Sequence, residues 1–267
     1  MALFGLIGVG NMGSALMKAT INAFGQDEIV YYDSSIEKCQ EISEQYNLFP
    51  ENDILSLVDK CKIIILAVKP QHLSEVLNKV KLAILPKHII LSIAVGVEIQ
   101  SIKSKVGGWA RVVRAMPNTP ALIFKGCTGV SFSSDEYSEE EKSRLDTLFR
   151  SFGEYEVFDE SFMNAVTCAS GSSPAYVYTF IEALADSVVS LGIPRDKAYV
   201  LVAQTVLGAA SMVLETGEHP GVLKDKVCSP GGTTIAAIKA LEENGFRNAL
   251  MKATDACYKR AKELSLD

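Results

Sequence analysis

Histidine is scarce in this chain: the three present, His72, His88 and His219, are too dispersed to suggest a metal cluster. Its six cysteines, at 39, 61, 127, 168, 228 and 257, include no C-x-x-C pair. Neither a zinc site nor a dithiol redox motif is indicated, and the cysteines read as reduced, mostly buried small residues. There is no G-x-S-x-G and no nucleophile beside a base, which leaves hydrolase and acyl-transfer chemistry without machinery. Lysine and arginine form no cluster and the formal net charge is −6, against a nucleic-acid or anionic-membrane partner. The longest apolar segment, 198–214, is interrupted by Gln204, Thr205 and Ser211 and is read as short of the roughly 20 apolar residues of a membrane span. Leu3–Ile7 is too short for the apolar region of a secretory signal. The expectation is a cytoplasmic or organelle-matrix protein whose partners are a small molecule and another subunit.

What is present is a chain of 267 residues, 48% hydrophobic, long enough for one large domain or two ordinary ones. Its organising stretch is Leu3–Ser14, LFGLIGVGNMGS, a short apolar run ending in Gly8, Gly10 and Gly13. A strand precedes these glycines, a helix is expected over 15–24, and IVYY at 29–32 reads as a second strand ending in Asp33, twenty residues past Gly13. In a dinucleotide-binding βαβ unit the first glycine permits the turn, the second admits the pyrophosphate and the third lets helix and strand pack. The acid then receives ribose hydroxyls, which favours NADH, whereas Ser34, Ser35 and Lys38 could serve the 2′-phosphate of NADPH.

Alternation of apolar runs and helical spacing continues to residue 158. A helix is expected over 36–46 and a short one over 53–59, capped by Asn52. The run at 62–68 reads as a buried strand ending at Lys69-Pro70, followed by a helix over 71–85. Strands at 88–94 and 110–116 flank a helix near 97–105, and the second leads into Pro117-Asn118-Thr119-Pro120, a stiffened strand end. A surface helix is expected within 133–150 and a last strand at 155–158. Beyond it the pattern is helical throughout: 160–169, 174–191, 195–216, 233–243 and 246–264. The fold class is α/β, with a dinucleotide-binding domain over 1–158 and an all-α domain over 159–267. Helices 174–191 and 195–216 are apolar on more than one face, so another subunit is expected to cover them.

Two loops of small residues run into helices in the second half, SGSSPAY at 170–176 and SPGGTT at 229–234. In the latter, Gly231 and Gly232 free the backbone while Thr233 and Thr234 begin the helix. Amides and hydroxyls can there converge on an anion the size of a carboxylate. A nicotinamide site together with a small-anion site points to hydride transfer.

Four strings resemble the pyrroline-5-carboxylate reductases: GVGNMG at 8–13, AVKP at 67–70, MPNTP at 116–120, and HPGVLKDKVCSPGGTTIAAIKALE at 219–242. The resemblance spans the whole chain. It implies a Rossmann-type N-terminal domain, a helical dimerisation domain, dimers that in some cases assemble into larger rings, and hydride transfer from NADPH or NADH to 1-pyrroline-5-carboxylate to give L-proline. By the same resemblance, Gly8, Gly10, Asn11, Met12 and Gly13 would hold pyrophosphate and Asn52 the adenosine ribose. Ala67, Val68, Lys69 and Pro70 would lie near the ribose and nicotinamide, with Ala94 and Asn118 lining the cleft. Gly232, Thr233 and Thr234 would receive the substrate carboxylate, with Glu218 near the ring nitrogen and Thr234 supplying the catalytic hydroxyl. Ser173 stands where the family often has a second glycine. Two other readings share the layout: a β-hydroxyacid dehydrogenase, against which counts the absence of lysine over 171–192, and a non-enzymatic nucleotide-binding redox regulator.

Overall fold

The structure is a computed structural model that describes residues 2–265. The chain folds into two compact units. One holds the chain up to Ser172 together with the stretch from Cys257 onward, and the other is Ser173–Ala256.

The first unit is a seven-stranded sheet with helices on both faces. In chain order it runs β1 (Phe4–Ile7), α1 (Asn11–Phe24), β2 (Ile29–Tyr32), α2 (Ile36–Tyr46), α3 (Ile54–Lys60), β3 (Ile63–Leu66), α4 (Pro70–Val80) and β4 (Ile89–Ser92). There follow α5 (Ile99–Val106), β5 (Arg111–Met116), β6 (Gly126–Phe132), α6 (Glu139–Arg150), β7 (Gly153–Val157) and the short α7 (Met163–Val166). Spatial order is β2-β1-β3-β4-β5-β6-β7. All neighbours are parallel except β5 and β6. The central strands are apolar on both faces because both are covered. Alternate side chains then feed two cores: Ile63 and Ile65 pack with Leu16, Met17, Leu148 and Phe149 of α1 and α6. Ile64 and Leu66 pack with Leu57, Leu73, Leu77 and Ile102 of α3, α4 and α5.

Several boundaries differ from those the sequence suggests, for local reasons. Helix α1 begins at Asn11, not 15, because the last glycine of the turn already has helical backbone. Asp53, not Asn52, caps α3, its carboxylate accepting from Ser56 N–H at 2.7 Å. Helix α6 starts at 139, behind a Ser138–Glu141 capping box, since Ser133 instead accepts the Val112 N–H at 3.0 Å. Strand β6, GCTGVSF, escaped the sequence reading because two glycines and a threonine mask its period; it is held by the antiparallel pairing to β5. Of the cysteines only Cys61 and Cys168 are buried. Burial pushes the Cys61 thiol up to about 12, which leaves it inert.

The second unit contains α8 (Ser173–Ser190), α9 (Arg195–Thr216), α10 (Pro220–Val227), α11 (Thr233–Glu243) and most of α12 (Phe246–Ser265). Helix α10, unforeseen, opens on Pro220, where proline needs no N–H partner. The only buried core among the described residues here is small: Ala185, Ala198 and Val202, backed by Ile181, Val188, Val189 and Ile193. Helix α9 runs 22 residues, longer than the 198–214 stretch, and by length and composition alone is apolar enough to cross a membrane. Its Val200, Leu207 and Leu214 are 70%, 59% and 84% exposed.

Candidate functional site

The strand ends β1, β2 and β3 meet where an open α/β sheet binds ligands. Gly8 leaves β1 at φ 97 with its N–H on Tyr32 O at 2.9 Å, and a Cβ there would lie 2.8 Å from Ala67 O. Gly13 sits so close to the turn that a Cβ would come within 2.1 Å of Gly8 O. At Gly10 the nearest atom a Cβ would meet is Lys38 Nζ, 3.8 Å away, so the space above the turn is open. Gly10 caps α1 with no side-chain bond, and the first turn carries no acid. The positive end of that helix and its amides are therefore available to a phosphate, which fits a dinucleotide.

An open cleft of about 410 Å³ borders this turn. It brings together Gly8, Gly10, Asp33, Ser34, Ala67, Val68 and Lys69 of the expected set, with Ser35 and Lys38 beside them. An adjoining depression of about 630 Å³ joins Asp33 and Ser34 to Asn52. Asn11 and Met12 begin α1, Asn11 exposed and Met12 packed against the core, while Pro70 is the first residue of α4 behind Lys69. Asp33 is tied to the backbone: Val9 N–H donates to Oδ2 at 2.7 Å and Ser35 N–H to Oδ1 at 2.8 Å. The acid thus braces the glycine turn as well as facing the cleft.

Two expected cleft residues, Ala94 and Asn118, are not among the residues bordering it. Ala94 is buried in the core on the α3–α5 side of the sheet. Asn118 is buried too, and both ends of its carboxamide are bonded to protein: Nδ2 donates to Ser170 O at 3.1 Å and Oδ1 accepts from Cys127 N–H at 2.9 Å. The cleft also has a wall that the sequence reading missed, His72, Glu75, Val76 and Lys79 of α4. Their spacing of three and four puts them on one helical face, which is the pattern that could have found them.

In the helical unit, Gly231 bends the 229–234 loop at φ 66, and Gly232 caps α11 with no side-chain bond and no acid in the first turn. Thr233 and Thr234 are the first two residues of that helix. Helix α6 shows the contrast: its start is closed by the capping box and three glutamates. Glu218 is held by Lys226, whose Nζ donates to Oε1 at 2.7 Å, and its own N–H donates to Thr216 Oγ1 at 3.1 Å. Ser173 begins α8 without a left-handed backbone, so its backbone conformation does not call for glycine.

Comparison with known proteins matches both halves. Residues 160–264 match the family model for pyrroline-5-carboxylate reductase dimerisation, and residues 3–96 match a coenzyme F420-dependent NADP oxidoreductase model. The pyrroline-5-carboxylate reductase of Escherichia coli (strain K12) is 43% identical over 264 residues, covering 98% of this chain and 97% of that one. That of Methanosarcina acetivorans is 42% identical, covering 97% of each. The crystal structure of Plasmodium falciparum pyrroline carboxylate reductase with NADP bound superposes with a TM-score of 0.89 at 32% identity, over 99% of this chain and 98% of that one. With a nucleotide-type sheet, a dimerisation-type helical half and full-length identity above two fifths, this chain belongs to the pyrroline-5-carboxylate reductase family.

Proposed function

We infer that the protein is a pyrroline-5-carboxylate reductase, an NAD(P)H-dependent oxidoreductase that reduces the C=N bond of 1-pyrroline-5-carboxylate to give L-proline. The observation that carries the reading is the pair of helices α1 and α11, each begun by a glycine with no side-chain cap and no acid in its first turn. They offer two anion cradles, one for a pyrophosphate and one for a carboxylate.

In this reading Gly8, Gly10, Asn11, Met12 and Gly13 hold the pyrophosphate and Asn52 borders the adenosine ribose. Ala67, Val68, Lys69 and Pro70 flank the ribose and nicotinamide, with the strand ends at Ala94 and Asn118 beneath. Gly231, Gly232, Thr233 and Thr234 take the substrate carboxylate, and the loop 170–176 borders the ring. Residues 1–158 serve the nucleotide and 159–267 the substrate and the dimer. The dihydronicotinamide supplies the hydride. The chain's own task is positioning: it anchors the carboxylate at α11 and holds the iminium proton at the ring nitrogen near Glu218. No strong base is needed, since the protonated imine is already the electrophile. A second copy of the chain covers the bare faces of α8 and α9, giving a homodimer that can build larger rings, and we assign the enzyme to the cytoplasm.

The ribose end carries both an acid, Asp33, and a cation, Lys38, in one cleft. The half-buried acid suits free ribose hydroxyls and the exposed cation suits a 2′-phosphate, so NADH and NADPH should differ by no more than about tenfold in kcat/KM. The assay is loss of nicotinamide absorbance on mixing protein with 1-pyrroline-5-carboxylate and each cofactor in turn. No turnover with either would sink the function, and a hundredfold preference would sink the reading of the ribose end. Thr234→Ala should lower catalytic efficiency at least about tenfold; wild-type efficiency would remove Thr234 from the site.

A further inference from the structure

The carbonyl of Ser170 lies at the end of a π-helical turn and has no α-register donor, because position 174 is proline. Thr167–Gly171 is a turn of π-helix leading toward α8, and a carbonyl at 170 would accept from the N–H at 174 in a continued α-helix. Residue 174 is proline and has no N–H. The partner comes from another strand end: Asn118 Nδ2 donates to Ser170 O at 3.1 Å. The register explains why this residue is at hand. Strands β5 and β6 pair Met116 with Gly129, and carrying the antiparallel register on by two sets position 118 opposite 127. Asn118 Oδ1 does accept the Cys127 N–H, so one buried carboxamide continues the ladder and caps the turn. Steric contact follows the same line, since a Cβ on Gly171 would come within 2.4 Å of Met116 Cε.

We propose that Asn118 is a positioning residue: its carboxamide stands in for the donor that Pro174 removes, fixing the loop 170–176 for the imine, and its side chain does not serve the nucleotide. This rests on the reading of that loop as a border of the imine site. The proline also explains why the strut is specific to this turn. A helix interrupted by π-geometry is a common place for a functional bend, and here Asn118 reaches it from another strand end while the Cys257 thiol bonds Ser172 Oγ at 3.3 Å.

The test compares wild type, Asn118→Ala and Asn118→Asp as full-length proteins. Nucleotide affinity, KM and kcat for 1-pyrroline-5-carboxylate, and hydrogen exchange of amides 168–176 are measured. For Asn118→Ala the expectation is NADPH affinity within about threefold of wild type, imine kcat/KM down about ten- to a hundredfold, and exchange over 168–176 faster by at least about tenfold. Asn118→Asp keeps an acceptor for Cys127 N–H but sets a carboxylate against the Ser170 carbonyl. Once protonated that acid can donate, so its efficiency relative to wild type should recover as pH falls.

Unchanged exchange, or nucleotide affinity falling in step with imine efficiency, overturns the proposal. So does unchanged imine efficiency in a wild type that turns the imine over. Should Asn118→Ala fail to fold, a flat relative pH profile in Asn118→Asp overturns it. Absence of imine turnover in the wild type would instead sink the functional reading, and hydrogen exchange would then decide alone whether Asn118 holds the turn.

Discussion

The sheet half and the helical half dispose of their apolar residues in opposite ways. In the first, every side chain of Ile63–Leu66 is buried, because helices lie on both faces of the sheet. In the second, α10 and α11 bury no residue and the 22-residue α9 buries only Ala198 and Val202. A sheet sandwiched by its own crossover helices closes its core within the chain. A hairpin of two long helices that are apolar on more than one face cannot, and its remaining apolar faces need another surface. The match of 160–264 to a dimerisation model fits that division of labour.

The comparison can be broken most sharply at α9. Val200→Asp together with Leu207→Asp should abolish the dimer at micromolar concentration, because each carboxylate would have to be desolvated in an apolar interface. Light scattering reads the outcome, and a surviving dimer would show that the bare face is not the interface. Next in size is Gly13→Ala. Its Cβ would meet Gly8 O at 2.1 Å, and overpacking of about 1–3 kcal/mol should weaken nucleotide binding about ten- to a hundredfold while the dimer persists. A titration with NADPH checks it; unaltered affinity would put the nucleotide away from this turn.

Ile65→Ala, in a core that is closed within the chain, should lower unfolding stability by about 2–5 kcal/mol in denaturant titrations without changing the mass in solution. A smaller loss would mean that the sheet core collapses around the gap. The mildest effect belongs to His88, buried at the start of β4, with Nδ1 accepting the Leu85 N–H at 2.8 Å. Burial, then the Lys87 charge, lowers its pKa below the ordinary 6.5. The unfolded chain therefore binds the proton more readily. Stability is full above about pH 6.5 and declines as pH falls toward the lowered folded value. His88→Gln should flatten that slope in thermal melts, and an unchanged slope would point to other groups.

Legibility followed local chemistry. Strands β1, β3 and β4 were readable as short apolar runs and α6 from its caps and acids. Helix α10 and strand β6 were not. In α10 the proline hides a helix start, and in β6 the glycines leave only tertiary pairing to define a strand. The turn Gly8–Gly13 with Asp33 was readable as a site because its parts are fixed by short-range backbone needs, and the cleft does gather Gly8, Gly10 and Asp33 with Ala67–Lys69. The α4 wall of the cleft was missed because the one-face spacing of His72, Glu75, Val76 and Lys79 reads equally as an ordinary amphipathic surface helix.

By itself, the sequence determined the two-part plan, the glycine turn and the uncapped start at Gly232, since each depends on residues close along the chain. Tertiary structure alone decided how those residues are used. Asp33 reaches back to brace Val9, Lys38 comes over Gly10, and Asn118 meets both Cys127 and Ser170. These are contacts across 9 to 52 positions, set by strand register and by the backbone groups that proline leaves unpaired, and no local pattern encodes them.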